Sequence, residues 1–420
     1  MTQFETLARM DEVAEAYVKL VLAVGQHDAD YVDAYHGPES WKEEVITEKK
    51  SLHDIKQRAG IAIGELQNLT ISSFDEIIQL RFYYLLRQLQ SLVSRVDLLC
   101  GVKMTFDEES KALYDAVAPT FTESHFKEIL RQLDDLLPGR GHVPERYNKF
   151  KDEFIIPKDR LDTVFAAAIE ESRTRTKRHI SLPERESFTV EYVTNKSWSG
   201  YNWYKGNSHS LIQINIDFPV YIDRAIDLAS HEGYPGHHVY NSLLEHYLVR
   251  ERKWMEFTVY ALFSPQSLIA EGTANFGIEV AFPSDERVDF ERAVLFPLAE
   301  MNVSKVHLYY RIHEIFLKLN YAGNEAARQY LNGTIGRDEA SRWLVDYALM
   351  SHDRAQQRTR FFDQYRSYVI NYNLGQDMVK EHIESNGGTP DNPDRRWAEL
   401  RKLISSPRLP SGLRKYRGKK

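Results

Sequence analysis

The stretch His231-Glu232-Gly233-Tyr234-Pro235-Gly236-His237-His238 constrains this chain more than any other. A His followed directly by Glu, with further His within two helical turns, is an arrangement that binds zinc and holds a general base beside it. Imidazole ligates in its neutral form, and the carboxylate takes a proton from the attacking water. The spacing is not that of H-E-x-x-H, because Pro235 stands where the second His would be. On an ideal helix His237 lies roughly 240° round from His231, and His238 lies nearly in line but about 10 Å along the axis. Neither shares an ion with His231 unless the helix is distorted. Pro235 has no N–H to donate and Gly236 tolerates unusual backbone angles, so a π-bulge or kink is expected there. His237 is the favoured second ligand and His238 the alternative.

The flanks place this string on a buried element. Ile222, Ala225, Ile226 and Ala229 recur at helical spacing, with Asp223, Arg224 and Asp227 on the other face. Before it, Ile212, Ile214 and Ile216 alternate with polar residues as a strand does, and so do Phe188, Val190 and Tyr192. The segment between them, 196–207, reads as a structured loop. This short sheet is placed to pair with an extended peptide, or serves structure alone. Downstream, Ser264-Pro265 predicts a helix start. Glu271 lies two turns inside that helix, among small and apolar neighbours, as a candidate third ligand. Asn275, one turn on, is a candidate partner for the ligands. Glu279 has a similar apolar setting.

These strings resemble the bacterial family known as domain of unknown function 885. Its hallmark is H-E-A-Y-P-G-H-H followed by E-G-W-A on a later helix; here the strings read HEGYPGHH (231–238) and EGTA (271–274). A late segment resembling S-Y-k-i-G reads Asn371-Tyr372-Asn373-Leu374-Gly375-Gln376, and Ile180-Ser181-Leu182-Pro183-Glu184 also fits the likeness, which spans roughly 140–385. The family is similar to Glu-zincin metallopeptidases. That resemblance implies zinc ligands at His231, His237 and Glu271, with Glu232 as base. The chain departs at Gly233 for Ala, at Thr273 for Trp and at Asn275 in the late part of the second motif, sparing the ligand positions.

The rest of the chain sets bounds. Its 420 residues allow two or three domains, with 42% hydrophobic and 27% charged residues. A net charge of −7 argues against a general nucleic-acid binder. No apolar run approaches the ~20 residues that span a membrane, and the start carries no secretory signal, so the cytoplasm is expected. One cysteine, Cys100, excludes an internal disulfide and a Cys-rich metal site. The first third reads as helix: Ile78, Phe82, Leu85, Leu89, Leu92 and Val96 form a seam for another helix, with Ser73 and Glu76 as a capping box. Pro138-Gly139-Arg140-Gly141 suggests a boundary, giving an N-terminal helical region (1–138), a catalytic region (139–405) and a basic, flexible tail (406–420).

The expected fold is mainly α, a helical metallopeptidase-like architecture with a small β-sheet next to the metal-binding helix. The expected function is a zinc-dependent hydrolase cleaving short peptides, carboxypeptidase-like or otherwise. The rivals are an amidohydrolase acting on a small non-peptide amide and a non-catalytic helical binding protein. Tyr372 is the candidate oxyanion donor, although Tyr365, Tyr368 and Tyr372 also read as one packed aromatic face. Arg366 is the candidate for binding a substrate carboxylate. His209 and His352 are weaker candidates, and His246 is expected at the surface.

Overall fold

In the computed structural model, which describes residues 2–413, the chain builds most of its structure from capped amphipathic helices. α1 (Gln3–Gly25) starts at Thr2, whose hydroxyl accepts the Glu5 N–H while Glu5 bonds back, and it buries Met10, Tyr17, Val21 and Val24. The strand β1 (Val32–Tyr35) follows. α2 (Glu76–Leu99) buries the expected seam, Phe82, Leu85, Leu89, Leu92 and Val96. Its start differs from expectation: the N-cap is Asp75, with no side-chain cap bond. Glu76 is therefore the first helical residue and cannot reach back as the third position of a capping box does.

The sheet has three strands, β2 (Ser187–Val193), β3 (Gly200–Gly206) and β4 (His209–Asn215), in the order β2-β4-β3. β2 runs parallel to β4, and β3 antiparallel to it. β3 falls within the segment expected as a loop. Its inward residues begin with Asn202 before Tyr204, while Tyr201 and Trp203 stay partly exposed, so the usual apolar alternation is inverted.

The motif then arrives on α3 (Asp223–Leu228) and α4 (His237–Leu244). β5 (Val259–Ala261) pairs antiparallel with β1, joining segments far apart in sequence. α5 (Pro265–Ala281) starts with Pro265 at its first turn, as expected, but the hydroxyl of Ser264 makes no cap bond. The last elements that shape the site are α6 (His352–Tyr365) and α7 (Ile370–Ser385).

α5 and α7 cross at backbone contact. A Cβ on Gly272 would stand 2.4 Å from the Gly375 carbonyl oxygen, and one on Gly375 2.7 Å from the Leu268 carbonyl oxygen. Only glycine on both helices allows this approach, and it sets Tyr372 of α7 beside Glu271 of α5. The architecture is thus mainly α with a small sheet against the motif helix. Leu413 near the described end is buried, while Arg414, Lys415, Arg417, Lys419 and Lys420 of the basic tail lie outside the described residues. No helix among the described residues is long and apolar enough to cross a membrane.

Candidate metal centre

The expected helix distortion takes a definite form. After α3 the chain makes one π-helical turn, Ala229–Gly233, then leaves the helix at Tyr234 and restarts at His237. The Gly236 N–H donates to the Ser230 carbonyl at 2.9 Å. A Cβ at Gly236 would lie 1.8 Å from the His231 carbonyl oxygen. The chain after the break therefore folds directly onto the turn that carries His231, and His237 comes back to it.

His231, His237 and Glu271 converge, each offering one ligand atom within 4.8 Å of the others. The two Nε2 atoms are 3.1 Å apart, and Glu271 Oε2 is 3.2 Å from His231 Nε2 and 3.7 Å from His237 Nε2. Four-coordinate zinc with bonds of about 2.0–2.1 Å places neighbouring ligand atoms about 3.3 Å apart, so the spacing suits such an ion. The proton bookkeeping agrees. Asn275 donates its amide to the Tyr372 carbonyl at 3.2 Å, so its Oδ1 accepts from His231 Nδ1 at 3.0 Å. That leaves the His231 Nε2 lone pair facing His237 Nε2, and Glu271 Oε2 is buried without a hydrogen-bond partner among the described residues. Two acceptors, His231 Nε2 and Glu271 Oε2, thus converge beside His237 Nε2. The set fits a divalent metal ion.

The carboxylates of the site are strongly perturbed by their surroundings. Burial pushes the Glu271 carboxyl up, but His231 and His237 hold it well below the usual range. Its other oxygen accepts from the Tyr368 hydroxyl at 2.7 Å. Glu232 is only 5% exposed and its carboxyl is pushed up to about 7, chiefly by burial, with His237 opposing and Glu271 adding to the rise. The Glu232 carboxylate lies against the backbone of Gly200 in β3, where a Cβ would come within 2.9 Å of Oε1. Asn202 donates to the Glu232 carbonyl at 2.7 Å and fixes that turn from the sheet.

His238 is placed elsewhere. Its Nδ1 meets Ser210 Oγ at 2.9 Å and its Nε2 meets Glu186 Oε2 at 3.0 Å, with the ring buried. Glu186 also accepts from Tyr234 at 2.6 Å and from Arg173 at 2.7 Å. This network pins the break from behind.

Tyr372 stands near the centre, its phenol subject to the charges of Glu271 and Glu232. Tyr365, Tyr368 and Tyr372 do not share one helix. Tyr365 ends α6, Tyr368 lies in a 3-10 turn and Tyr372 opens α7, with neighbouring rings about 6 Å apart at 6.0 and 5.8 Å. Arg366 is engaged by Glu109 at 2.6 Å. Glu279 binds Gln376 and Lys380. His209 meets Ser187, His352 is exposed at the start of α6, and His246 pairs with Glu251 at the surface.

Asp33 of β1 also belongs to the site and had no signal in the sequence, being one acid in a short strand. It accepts from the Tyr201 hydroxyl. Burial pushes its carboxyl up to about 6 against that bond and the nearby His237.

No family model matches the chain, and no curated protein matches it. Among solved structures, a candidate lipoprotein of Colwellia psychrerythraea aligns with a TM-score of 0.51 at 14% identity, covering 86% of this chain and 68% of its own. A similarly described protein of unknown function from Shewanella oneidensis gives 0.48 at 11%, covering 90% and 78%. An M32 carboxypeptidase from Deinococcus radiodurans R1 gives 0.36 at 13%, covering 96% and 91%. The first likeness concerns the fold alone, and the two looser ones say nothing about activity.

Proposed function

We propose that this chain is a zinc-dependent peptidase acting on short peptides. The observation that carries the reading is the meeting of His231 Nε2, His237 Nε2 and Glu271 Oε2, with Glu232 one residue from the first ligand. A purely structural site has no use for that second carboxylate. A bound zinc ion would polarise the scissile carbonyl and make water easier to deprotonate.

The chain's own groups supply the remaining chemistry. His231 is oriented by Asn275, and Glu271 by Tyr368. The Glu232 carboxylate takes a proton from the water that attacks the peptide carbonyl and passes it to the leaving amine. The Tyr372 phenol donates a hydrogen bond to the oxyanion without bringing a full charge. The buried surroundings of Glu232 keep bulk water from competing for its proton.

The test is bound metal per chain in the wild type and in His237→Ala, His238→Ala and Glu271→Ala, followed by peptide hydrolysis. About one zinc is expected in the wild type and in His238→Ala, and its loss in the other two. Glu232→Gln should keep the metal and lose about 10²- to 10⁴-fold in kcat. Full hydrolysis by a metal-loaded Glu232→Gln would remove Glu232 as the base. A wild type that takes up no zinc would remove the mechanism.

A further inference from the structure

Arg358 is a cation without a counter-ion among the described residues. It sits on α6, and its guanidinium carbon lies 4.3 Å from the centre of the Phe361 ring, 5.7 Å from that of Phe362 and 5.9 Å from that of Tyr372. Its Nε is buried and has no hydrogen-bond partner among the described residues. Burial works against its charge, and the Tyr372 phenol acts in the opposite direction. Several other buried or half-buried arginines are paired with carboxylates, although Arg354 and Arg408, like Arg358, have no ion pair among the described residues. Arg81 pairs with Glu256 at 2.6 Å, Arg95 with Asp28 at 2.6 Å, Arg287 with Asp227 at 2.9 Å and Arg366 with Glu109 at 2.6 Å. The Arg358 side chain is only partly buried, and an unpaired guanidinium is available to an anionic ligand.

The position defines the ligand. The guanidinium lies 5.9 Å from the centre of the Tyr372 ring, and the charges of Glu271 and Glu232 act on the same phenol. Tyr368 packs 5.8 Å from Tyr372 and bonds Glu271 at 2.7 Å, so one aromatic step separates Arg358 from the ring that holds a metal ligand. A guanidinium fork matches a carboxylate through two parallel N–H···O bonds. Arg366, the other arginine near these tyrosines, has its Nε on Glu109.

We propose that Arg358 binds the free α-carboxylate of the substrate, so that the enzyme removes residues from the carboxyl end of short peptides. This rests on the peptidase reading above. A peptide whose scissile carbonyl meets the Tyr372 phenol ends at the guanidinium. Internal bonds of long chains, and peptides ending in an amide, lack the group that pairs with it.

The experiment compares one blocked tripeptide with a free carboxyl terminus and its C-terminal amide, using zinc-loaded wild type, Arg358→Gln and Arg358→Lys. The wild type should prefer the free acid by about 10- to 100-fold in kcat/KM, mostly through KM. In Arg358→Gln that preference should fall to within about twofold, and Arg358→Lys should retain part of it. A merely structural arginine would slow both peptides alike and leave the ratio intact, which would overturn the proposal. Calorimetry supplies a readout independent of turnover: N-acetylphenylalanine should bind Glu232→Gln protein, its amide should not, and adding Arg358→Gln should abolish the difference. If neither peptide is cleaved but the acid still binds through Arg358, the anchor stands and the peptidase reading falls. If both peptides are cleaved equally by wild type, the peptidase reading stands and the anchor falls.

Discussion

Gly236→Ala is the sharpest perturbation of the metal centre that leaves every ligand in place. Gly236 has φ −74° and ψ −138°, so the constraint is contact rather than a left-handed backbone. The added methyl would stand 1.8 Å from the His231 carbonyl oxygen and 2.4 Å from that of Ser230. Both neighbours are backbone atoms of the π turn and have no rotamer to escape into. Reaching ordinary van der Waals separation requires a retreat of about 1.7 Å. That movement breaks the 2.9 Å bond from the Gly236 N–H to Ser230 and carries His237 with it. Ligand distances tolerate only about ±0.2 Å, so the second imidazole leaves the site. Overpacking adds about 1–3 kcal/mol of destabilisation. Zinc titration with a competing chelator, together with thermal melting of the metal-free protein, measures both effects. Affinity should weaken beyond the roughly 100-fold reached by substitutions of outer partners. A variant with wild-type zinc affinity and stoichiometry would refute the claim that this glycine brings His237 back.

Two further expectations concern what supports the centre. Burial raises the Glu186 carboxyl, but hydrogen bonds from His238, Tyr234 and Arg173 outweigh it and hold the group at about 2. Because the folded value is depressed, the stabilisation is full above the ordinary value of 4.5 and is lost as pH falls through about 2. Urea unfolding should therefore show Glu186→Gln less stable than wild type at pH 7, with the gap closing from pH 4.5 downward; a gap independent of pH would contradict this. Gly375→Ala places a Cβ 2.7 Å from the Leu268 carbonyl oxygen and 3.0 Å from the Gly272 Cα. It should lower stability by about 1–3 kcal/mol in thermal melts and lower peptide turnover by shifting Tyr372, whereas Gly323→Ala, with nothing within 4 Å, serves as the neutral control.

The helix class, the buried seam of α2, the strands β2 and β4, and the distorted motif helix were legible because each follows from a local rule of periodicity or backbone chemistry. The glycines of the two later strings were legible as pattern but not as cause. Only the crossing of α5 and α7 shows that Gly272 and Gly375 are small because they touch. The ambiguity between His237 and His238 could not be resolved from spacing, since it depends on a break whose angles no local rule supplies. What separates the two rings is that Ser210 and Glu186 occupy both nitrogens of His238, and both partners come from the sheet side of the chain. β3 was missed because its inward face starts with Asn202, whose amide serves the Glu232 carbonyl rather than a core.

The arginines near the tyrosines show the same limit from another direction. By type alone, Arg366 and Arg358 are equal candidates for an anion. Arg366 has φ +51° and ψ −124°, a conformation that L-residues rarely hold. Glu109, from a helix (Phe106–Tyr114) of the N-terminal region, accepts from Arg366 Nε, from the Ser367 N–H and from the Ser367 hydroxyl. That one buried carboxylate secures the turn leading from α6 into α7, and so fixes Arg358 on one side and Tyr368 and Tyr372 on the other. Asp33 reaches Tyr201 from the same end of the chain. The histidine string supplies the candidate ligands, but the turn carrying Tyr368 and the strand residue Tyr201 are held by acids more than a hundred residues earlier. Glu109 engages Arg366 Nε while the side chain stays 34% exposed, whereas Arg358 has no ion pair among the described residues.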